Sequence, residues 1–384
     1  MAETIKAIVK WPGGKISEAE KILPILPRYK GRFIDPFVGG GSIYFASQAQ
    51  NAAINDRSEE LIALYIYIQQ GEKKFFQTIH RLDDIRRSLC NMIEGDTDDF
   101  LAWFNSYILG NISKEELNTQ VKSWVKNHES KLSEFTFEQI ETSVFYNEIF
   151  KNLTRKLFRM QKLSEENGGL KDTDIIDNFE TAFHSAFYMY VRHLYNYASD
   201  LELSHSLTIA TFYYIREFCY SSMFRYNNDG IFNVPYGGMA YNSKNFFSKI
   251  SRLQKPIYQE YLRHTEIHNR DFSEFFKVIS PNVDDFIFLD PPYDSDFSTY
   301  DGNSFDKEDH ERLASFMTKT KSNFMMVIKN TDFIMNLYSN IPGVKTQIFD
   351  KKYMVSFQNR NEKRAKHLII TNYSIPKPTA PQLF

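Results

Sequence analysis

The apolar run Phe286-Ile287-Phe288-Leu289 stops abruptly at Asp290-Pro291-Pro292-Tyr293, and this junction constrains the architecture more than any composition statistic. It reads as a short strand meeting a stiffened loop, because proline fixes φ and removes the N–H that a continuing ladder would use. Open α/β sheets bind ligands at that carboxyl edge of their strands. The loop offers the Asp290 carboxylate, the Pro291 carbonyl and the aromatic face of Tyr293. By itself, the string marks only a strand ending in a rigid turn.

A second junction repeats the design near the amino terminus. Arg32-Phe33-Ile34 reads as a short buried strand leading into Asp35-Pro36-Phe37-Val38-Gly39-Gly40-Gly41-Ser42, and a helical pattern follows from Ile43. Glycines at such a turn permit positive φ and close approach of backbone to ligand. The dinucleotide fingerprint G-x-G-x-x-G does not occur, so the turn suits a ligand that presents no phosphate there. The next apolar stretch, Ala52-Ala53-Ile54, ends at Asn55-Asp56. An acid at about 20 positions past the glycine turn suits the hydroxyls of a ribose; capping the helix that starts near Ser58 is the alternative. Upstream, Lys10-Trp11-Pro12-Gly13-Gly14-Lys15 precedes an amphipathic helix expected over 17–26. Lysine can hold a carboxylate and tryptophan can face a sulfonium cation, although a plain glycine turn also fits.

Apolar runs predict strands at 31–35, 51–55, 264–268, 285–289, 323–329, 345–349 and 367–372, with helices over 43–50, 59–69 and 306–319. That alternation predicts an α/β fold with a mostly parallel, doubly wound sheet. Residues 72–220 are helical in pattern, with polar breaks at 127–130 and 165–169. A formal charge of −2 over 384 residues excludes a globally basic nucleic-acid binder, so any such surface is local. The strongest basic bias lies at Lys351, Lys352, Arg360, Lys363, Arg364 and Lys366. Within the helical region, Lys151, Arg155, Lys156, Arg159 and Lys162 fall on roughly one side, as a solvated face or a phosphate-binding one. Cys90 and Cys219 form no motif for a metal or a disulfide framework, and Met1-Ala2-Glu3-Thr4 lacks signal-peptide character. A reducing cytoplasm and no membrane span are expected.

In order, K-W-P-G-G-K, D-P-F-V-G-G-G-S, N-D and D-P-P-Y resemble the motifs of the Dam-type, alpha-class DNA adenine-N6 methyltransferases, which use S-adenosylmethionine. Phe224-Arg225-Tyr226-Asn227 and Gly230-Ile231-Phe232-Asn233-Val234-Pro235-Tyr236-Gly237 resemble the family's R-[YF]-N…G-x-F-N-V-P-[FY]-G segment, and Phe297 to Phe305 its substrate-side loop. The likeness covers roughly 6–70 and 206–374; residues 72–205 match no motif. It implies a Rossmann-like class I methyltransferase sheet of seven strands, closed by an antiparallel pair within 345–374. The implied division is a catalytic domain at 1–71 and 264–374, an inserted helical target-recognition region at 72–263, and a tail at 375–384.

The resemblance implies transfer of a methyl from S-adenosylmethionine to N6 of an adenine flipped out of double-stranded DNA. Asp290 and the Pro291 carbonyl would accept from the amine, with Pro292 stiffening the loop and Tyr293 stacking on the base. The cofactor would be bound by Trp11, Lys15, Asp35, Pro36, Phe37, Gly39, Gly41, Asp56, Asp271, Phe272 and Asp290. Asp271, after His268-Asn269-Arg270, matches the acid that receives the cofactor's adenine amine. DNA would meet Arg225, Tyr226, Asn227, Asn233, Tyr236, Ser304, Arg360 and Arg364, with GATC a candidate site from the likeness over 224–237. No metal is required. A monomer, bacterial or phage-encoded, acting alone or beside a cognate restriction endonuclease, is expected. The alternatives are N-methylation of RNA or protein glutamine, which share D/N-P-P-Y, and a noncatalytic DNA-binding relative.

Overall fold

The computed structural model describes residues 5–292, 305–352 and 364–375. These fall into two compact units: one within Met1–Glu72, Phe224–Ile231 and Leu253–Phe384, the other within Lys73–Met223 and Phe232–Arg252. Phe224–Ile231 and the stretch from Leu253 therefore group with the sheet, whereas the motif pattern assigns everything from 72 to 263 to the insertion.

The first unit is built on a seven-stranded sheet. Its strands are β1 (Phe33–Asp35), β2 (Ala52–Asn55), β3 (Thr265–His268), β4 (Phe286–Leu289), β5 (Asn323–Lys329), β6 (Lys345–Lys352) and β7 (Arg364–Thr371), in the order β3-β2-β1-β4-β5-β7-β6. The first five in that order pair in parallel; β7 runs antiparallel to both β5 and β6. All seven predicted strands are present. Each end shifts by only a few residues, because the apolar runs themselves are what both faces of a covered parallel sheet require.

Side chains on one strand alternate between the two faces. Ile34, Ile287, Leu289, Met326 and Ile328 enter one apolar core with Phe275, Phe276 and Leu313. That core lies under the helices Phe272–Ile279, Lys307–Lys319 and Asp332–Tyr338. On the opposite face Phe33 packs with Tyr44, Phe286 and Phe288. The expected helix over 17–26 is in fact a short α-helix, Ala19–Ile22, flanked by 3-10 turns at Ile16–Glu18 and Leu23–Ile25; Pro24 gives no N–H to continue the ladder.

The strand order reverses between β1 and β4, so the chain leaves the sheet in opposite directions from two adjacent strands. Such a switch point opens a crevice at the carboxyl edge. Asp35 ends β1 and Asp290 follows β4, which places both carboxylates at this position.

The second unit is helical, with helices Lys73–Gly95, Thr97–Ile108, Lys114–Asn127, Glu129–Ser133, Thr142–Asn167, Asp172–Asn196 and His205–Phe218. Two of its ends match the predicted polar breaks. The helix from Lys114 stops at Asn127, and the helix from Thr142 ends at Gly168 in the left-handed region, φ 71°. Tyr188, Tyr190, Phe183 and Phe187 are fully buried, so the aromatic density of this unit is core. No helix among the described residues is long and apolar enough to cross a membrane.

Candidate active site

Three sequence motifs meet at the switch point of the first unit. The ammonium of Lys15, 1% exposed, donates to the Asp290 carboxylate and to the Gly13 carbonyl at 3.0 Å. Lys15 and Asp290 are 275 residues apart in the chain. The resemblance assigns Lys15 to the cofactor's carboxylate; here its partner is Asp290, the acceptor of the D-P-P-Y loop. Asp35, buried at 3% exposure, accepts from the Phe37 N–H at 3.1 Å. Burial pushes its carboxyl well above the usual range, and the nearby Asp290 and Asp56 add to that while Lys15 opposes it. Pro36 offers its carbonyl to Asn55, and Phe37 packs on Phe272 and Phe305.

Asp56 follows β2 and is half-buried. One of its oxygens accepts the Gly39 N–H and the other the Ser58 N–H, both at 3.0 Å. The cap of the next helix is Ser58, whose side chain accepts from the Leu61 N–H, so Asp56 is not the helix cap. Burial raises the Asp56 carboxyl above its usual range against the pull of these backbone donors. A carboxylate oxygen accepts more than one hydrogen bond, and each oxygen of Asp56 thus retains capacity for a hydroxyl.

The glycines are explained by packing. Gly39 has φ 50°, and a Cβ there would lie 2.7 Å from the Trp11 ring; at Gly41, φ 78°, a Cβ would lie 2.5 Å from the Tyr65 hydroxyl and 2.7 Å from Phe45. Tyr65 also donates to the Gly39 carbonyl at 2.9 Å. Close approach does require these glycines, but the atoms that approach are the protein's own. Trp11 in turn packs on Phe224 with ring centroids 5.4 Å apart, and Phe224 on Tyr226 at 5.2 Å. This aromatic series is why the segment from Phe224 belongs with the sheet unit.

Asn55 is an organiser that sequence reasoning passes over. Fully buried, it donates to the carbonyls of Pro36 and Arg270 at 3.1 and 3.0 Å and accepts from the Arg270 N–H at 2.9 Å. It ties the loops after β1 and β3 to the end of β2. Its place beside Asp56 is the only signal in the sequence.

The remaining expected site residues have the following surroundings. Asp271 caps the helix Phe272–Ile279 through Ser273, and both its oxygens accept from Arg312 at 2.9 and 3.0 Å. That guanidinium holds Asp271 far below the usual carboxylate range. Arg312 thus bonds both oxygens of the acid assigned to the cofactor's adenine amine, and Phe272 is buried beneath the same guanidinium, 4.6 Å from its centre. Tyr236, expected on DNA, is 7% exposed in the helical unit with its hydroxyl donated to Asn242 at 3.0 Å. Asn233 is half-buried. Arg225 and Asn227 are exposed and Tyr226 half-buried; Asn227 folds its own turn by accepting from the N–H groups of Asp229 and Ile231. Pro291 is buried and Pro292 exposed. Tyr293, Ser304 and Arg360 lie outside the described residues, and of Arg364 only its place at the start of β7 is described.

A doubly wound sheet with an acidic proline loop at its switch point and a ribose-competent acid on the neighbouring strand defines a Rossmann-like methyltransferase. The model of the family described as D12 class N6 adenine-specific DNA methyltransferase matches residues 11–162 and 139–357, and the chain belongs to that family. Membership makes it an enzyme of DNA adenine methylation. It also extends the likeness across the stretch from 72 that motifs alone leave unmatched. Among relatives, the chain is 28% identical to the type II methyltransferase M.CviBI of Paramecium bursaria Chlorella virus NC1A over 374 residues, covering 96% of this chain and all of that one. It is 23% identical over 322 residues to the DNA N-6-adenine-methyltransferase of Escherichia phage P1, covering 83% of this chain and 28% of the relative. Against the Retron Ec67 DNA adenine methylase of Escherichia coli the identity is 29% over 165 residues, covering 42% and 54%.

Proposed function

We propose that the enzyme methylates N6 of an adenine extruded from double-stranded DNA at a short recognition sequence, with the chemistry centred on Asp290. The observation that carries this reading is the ion pair between Lys15 and Asp290, which joins the amino-terminal motif to the proline loop at the switch point. An aryl amine is a poor nucleophile because its lone pair is delocalised into the ring. The Asp290 carboxylate and the Pro291 carbonyl accept its two N–H groups and draw the nitrogen toward tetrahedral geometry, which localises that pair. Lys15 holds the Asp290 carboxylate in place through their ion pair. As positive charge develops on the nitrogen, the carboxylate stabilises it. A base cannot reach this edge from inside a duplex, so extrusion costs a few kcal/mol that edge hydrogen bonds and stacking, assigned to Tyr293, recover.

S-adenosylmethionine supplies an activated methyl group when bound. The donor set fits it: Asp56 would accept from the ribose hydroxyls, and Trp11, packed at the glycine turn, would offer an aromatic face to the sulfonium. The relatives named type II methyltransferases support a role in modification beside a restriction endonuclease, and a monomer suffices for the reaction.

The test is methylation-sensitive sequencing of DNA from cells expressing the wild type or Asp290→Ala. N6-methyladenine at one short sequence, present only with the wild type, is expected. Label appearing in RNA or protein, with DNA unmodified, would overturn the reading.

A further inference from the structure

The helical unit holds a side-chain cluster that methyl transfer does not use. Cys90 lies on the helix Lys73–Gly95, and Glu180 and His184 lie one turn apart on Asp172–Asn196. The Cys90 sulfur is 3.5 Å from His184 Nε2 and 3.7 Å from Glu180 Oε1, and the same Nε2 is 3.1 Å from that oxygen.

This geometry excludes a nucleophilic relay. A thiol, imidazole and carboxylate acting in series use the two opposite ring nitrogens, whereas one nitrogen meets both partners here. Without a metal, Nε2 donates to Glu180 while the thiol donates to Glu180 or to the Arg86 carbonyl at 3.6 Å; with the thiol deprotonated, the same three atoms become a ligand set. Three donors surround one point.

We propose that Cys90, Glu180 and His184 bind a zinc ion that joins the two helices, with water as fourth ligand. Zinc bonds of about 2.3 Å to sulfur and about 2.0–2.2 Å to nitrogen and oxygen, at tetrahedral angles, hold the donors about 3.3–3.6 Å apart. The three observed separations bracket that range. A mixed sulfur, nitrogen and oxygen set favours zinc over magnesium or calcium, which take oxygen ligands. On binding, the thiol proton leaves to solvent as the sulfur–zinc bond forms, and thiolate plus carboxylate balance the dication. Arg86, one turn before Cys90, directs its guanidinium to the carbonyls of Tyr241, Asn242 and Lys244. The Glu180 side chain is 28% exposed, which gives the ion and its water an entry.

The experiment uses tag-free full-length protein stripped with chelator, titrated with zinc chloride alone, and assayed for metal after gel filtration. One zinc per chain is expected, lost in Cys90→Ala and bound at least tenfold more weakly by Glu180→Gln. Cobalt in place of zinc gives a thiolate charge-transfer band in the near ultraviolet that Cys90→Ser abolishes and Cys219→Ala retains. Circular dichroism verifies that each variant is folded. Equal zinc content in wild type and Cys90→Ala, no zinc retained by the wild type, or a cobalt spectrum without the thiolate band would each reduce the cluster to hydrogen bonding and overturn the proposal.

Discussion

The two units handle buried polar groups in opposite ways. In the sheet unit, the acids Asp35 and Asp56 sit at strand ends and accept from backbone N–H groups of the loops that follow. In the helical unit, cations and hydroxyls are spent on backbone carbonyls. Arg86 binds those of residues 241, 242 and 244; Arg192 and Tyr188 bind Val234; and Asn196 binds Phe232 in both directions. The first arrangement places carboxylates at the carboxyl ends of adjacent strands, where sheets of this kind bind ligands. The second fixes the loop after Phe232 to the helices by bonding that loop's carbonyls. A buried polar group therefore signals function by where it stands in the fold.

The sharpest way to break this comparison is Asp290→Ala. It deletes an acceptor needed in the transition state, so turnover should fall about 10²–10³-fold or more. It also leaves the buried Lys15 without this carboxylate, and removing one partner of a buried pair costs about 3–5 kcal/mol. A double-mutant cycle with Lys15→Met should recover part of the stability and none of the activity. Unchanged turnover in folded Asp290→Ala would remove this residue from the chemistry.

Glycines give a second contrast, since Gly41→Ala should cost roughly 2–4 kcal/mol in denaturant titration, adding left-handed strain to a clash. The clash is with Tyr65 and Phe45. Gly168, with φ 71° and open space around it, provides the comparison in the helical unit. Its replacement by alanine should cost only roughly 1 kcal/mol. Equal destabilisation at the two sites would show that packing at the glycine turn is unimportant.

Within the sheet unit, two acids should give pH dependence of opposite sign. Asp35 has its carboxyl raised by burial, so the stability it confers is present below the unfolded value of about 3.9 and is lost as pH rises through the folded one. Asp35→Asn should flatten that alkaline loss. Asp271 is depressed by Arg312, so its contribution is present above about pH 3.9 and is lost as pH falls toward the folded value. Asp271→Asn should remove part of the acid-side loss. Denaturation midpoints across pH distinguish the two, and parallel profiles would refute the assignment.

The smallest expected effect lies on the helical surface. Lys151, Arg155 and Arg159 are exposed in one row of the helix Thr142–Asn167, although Lys151 already pairs with Glu148 at 3.1 Å. If they meet phosphates, neutralising all three should weaken binding to every sequence. The log–log salt slope should become shallower by up to about one unit for each phosphate that is no longer neutralised. An unchanged slope would make this row an ordinary solvated face.

The strands and the motif-bearing loops are legible in the sequence because their causes are local. An apolar run such as Phe286 to Leu289 names a covered strand wherever it falls, and a proline or glycine names the turn after it. The sequence by itself also supplied the Asp290 and Asp56 motifs and the family resemblance that suggests their chemistry. Partners were decided only by tertiary structure, because a charged side chain has no sequence-local sign of what it will meet. Lys15 found Asp290, Asp271 found Arg312, and Tyr236 entered a core once the chain folded back on itself. Cys90 joined Glu180 and His184 in the same way. No spacing rule reveals those three as neighbours, since their separation is set by the packing of two helices rather than by steps along one.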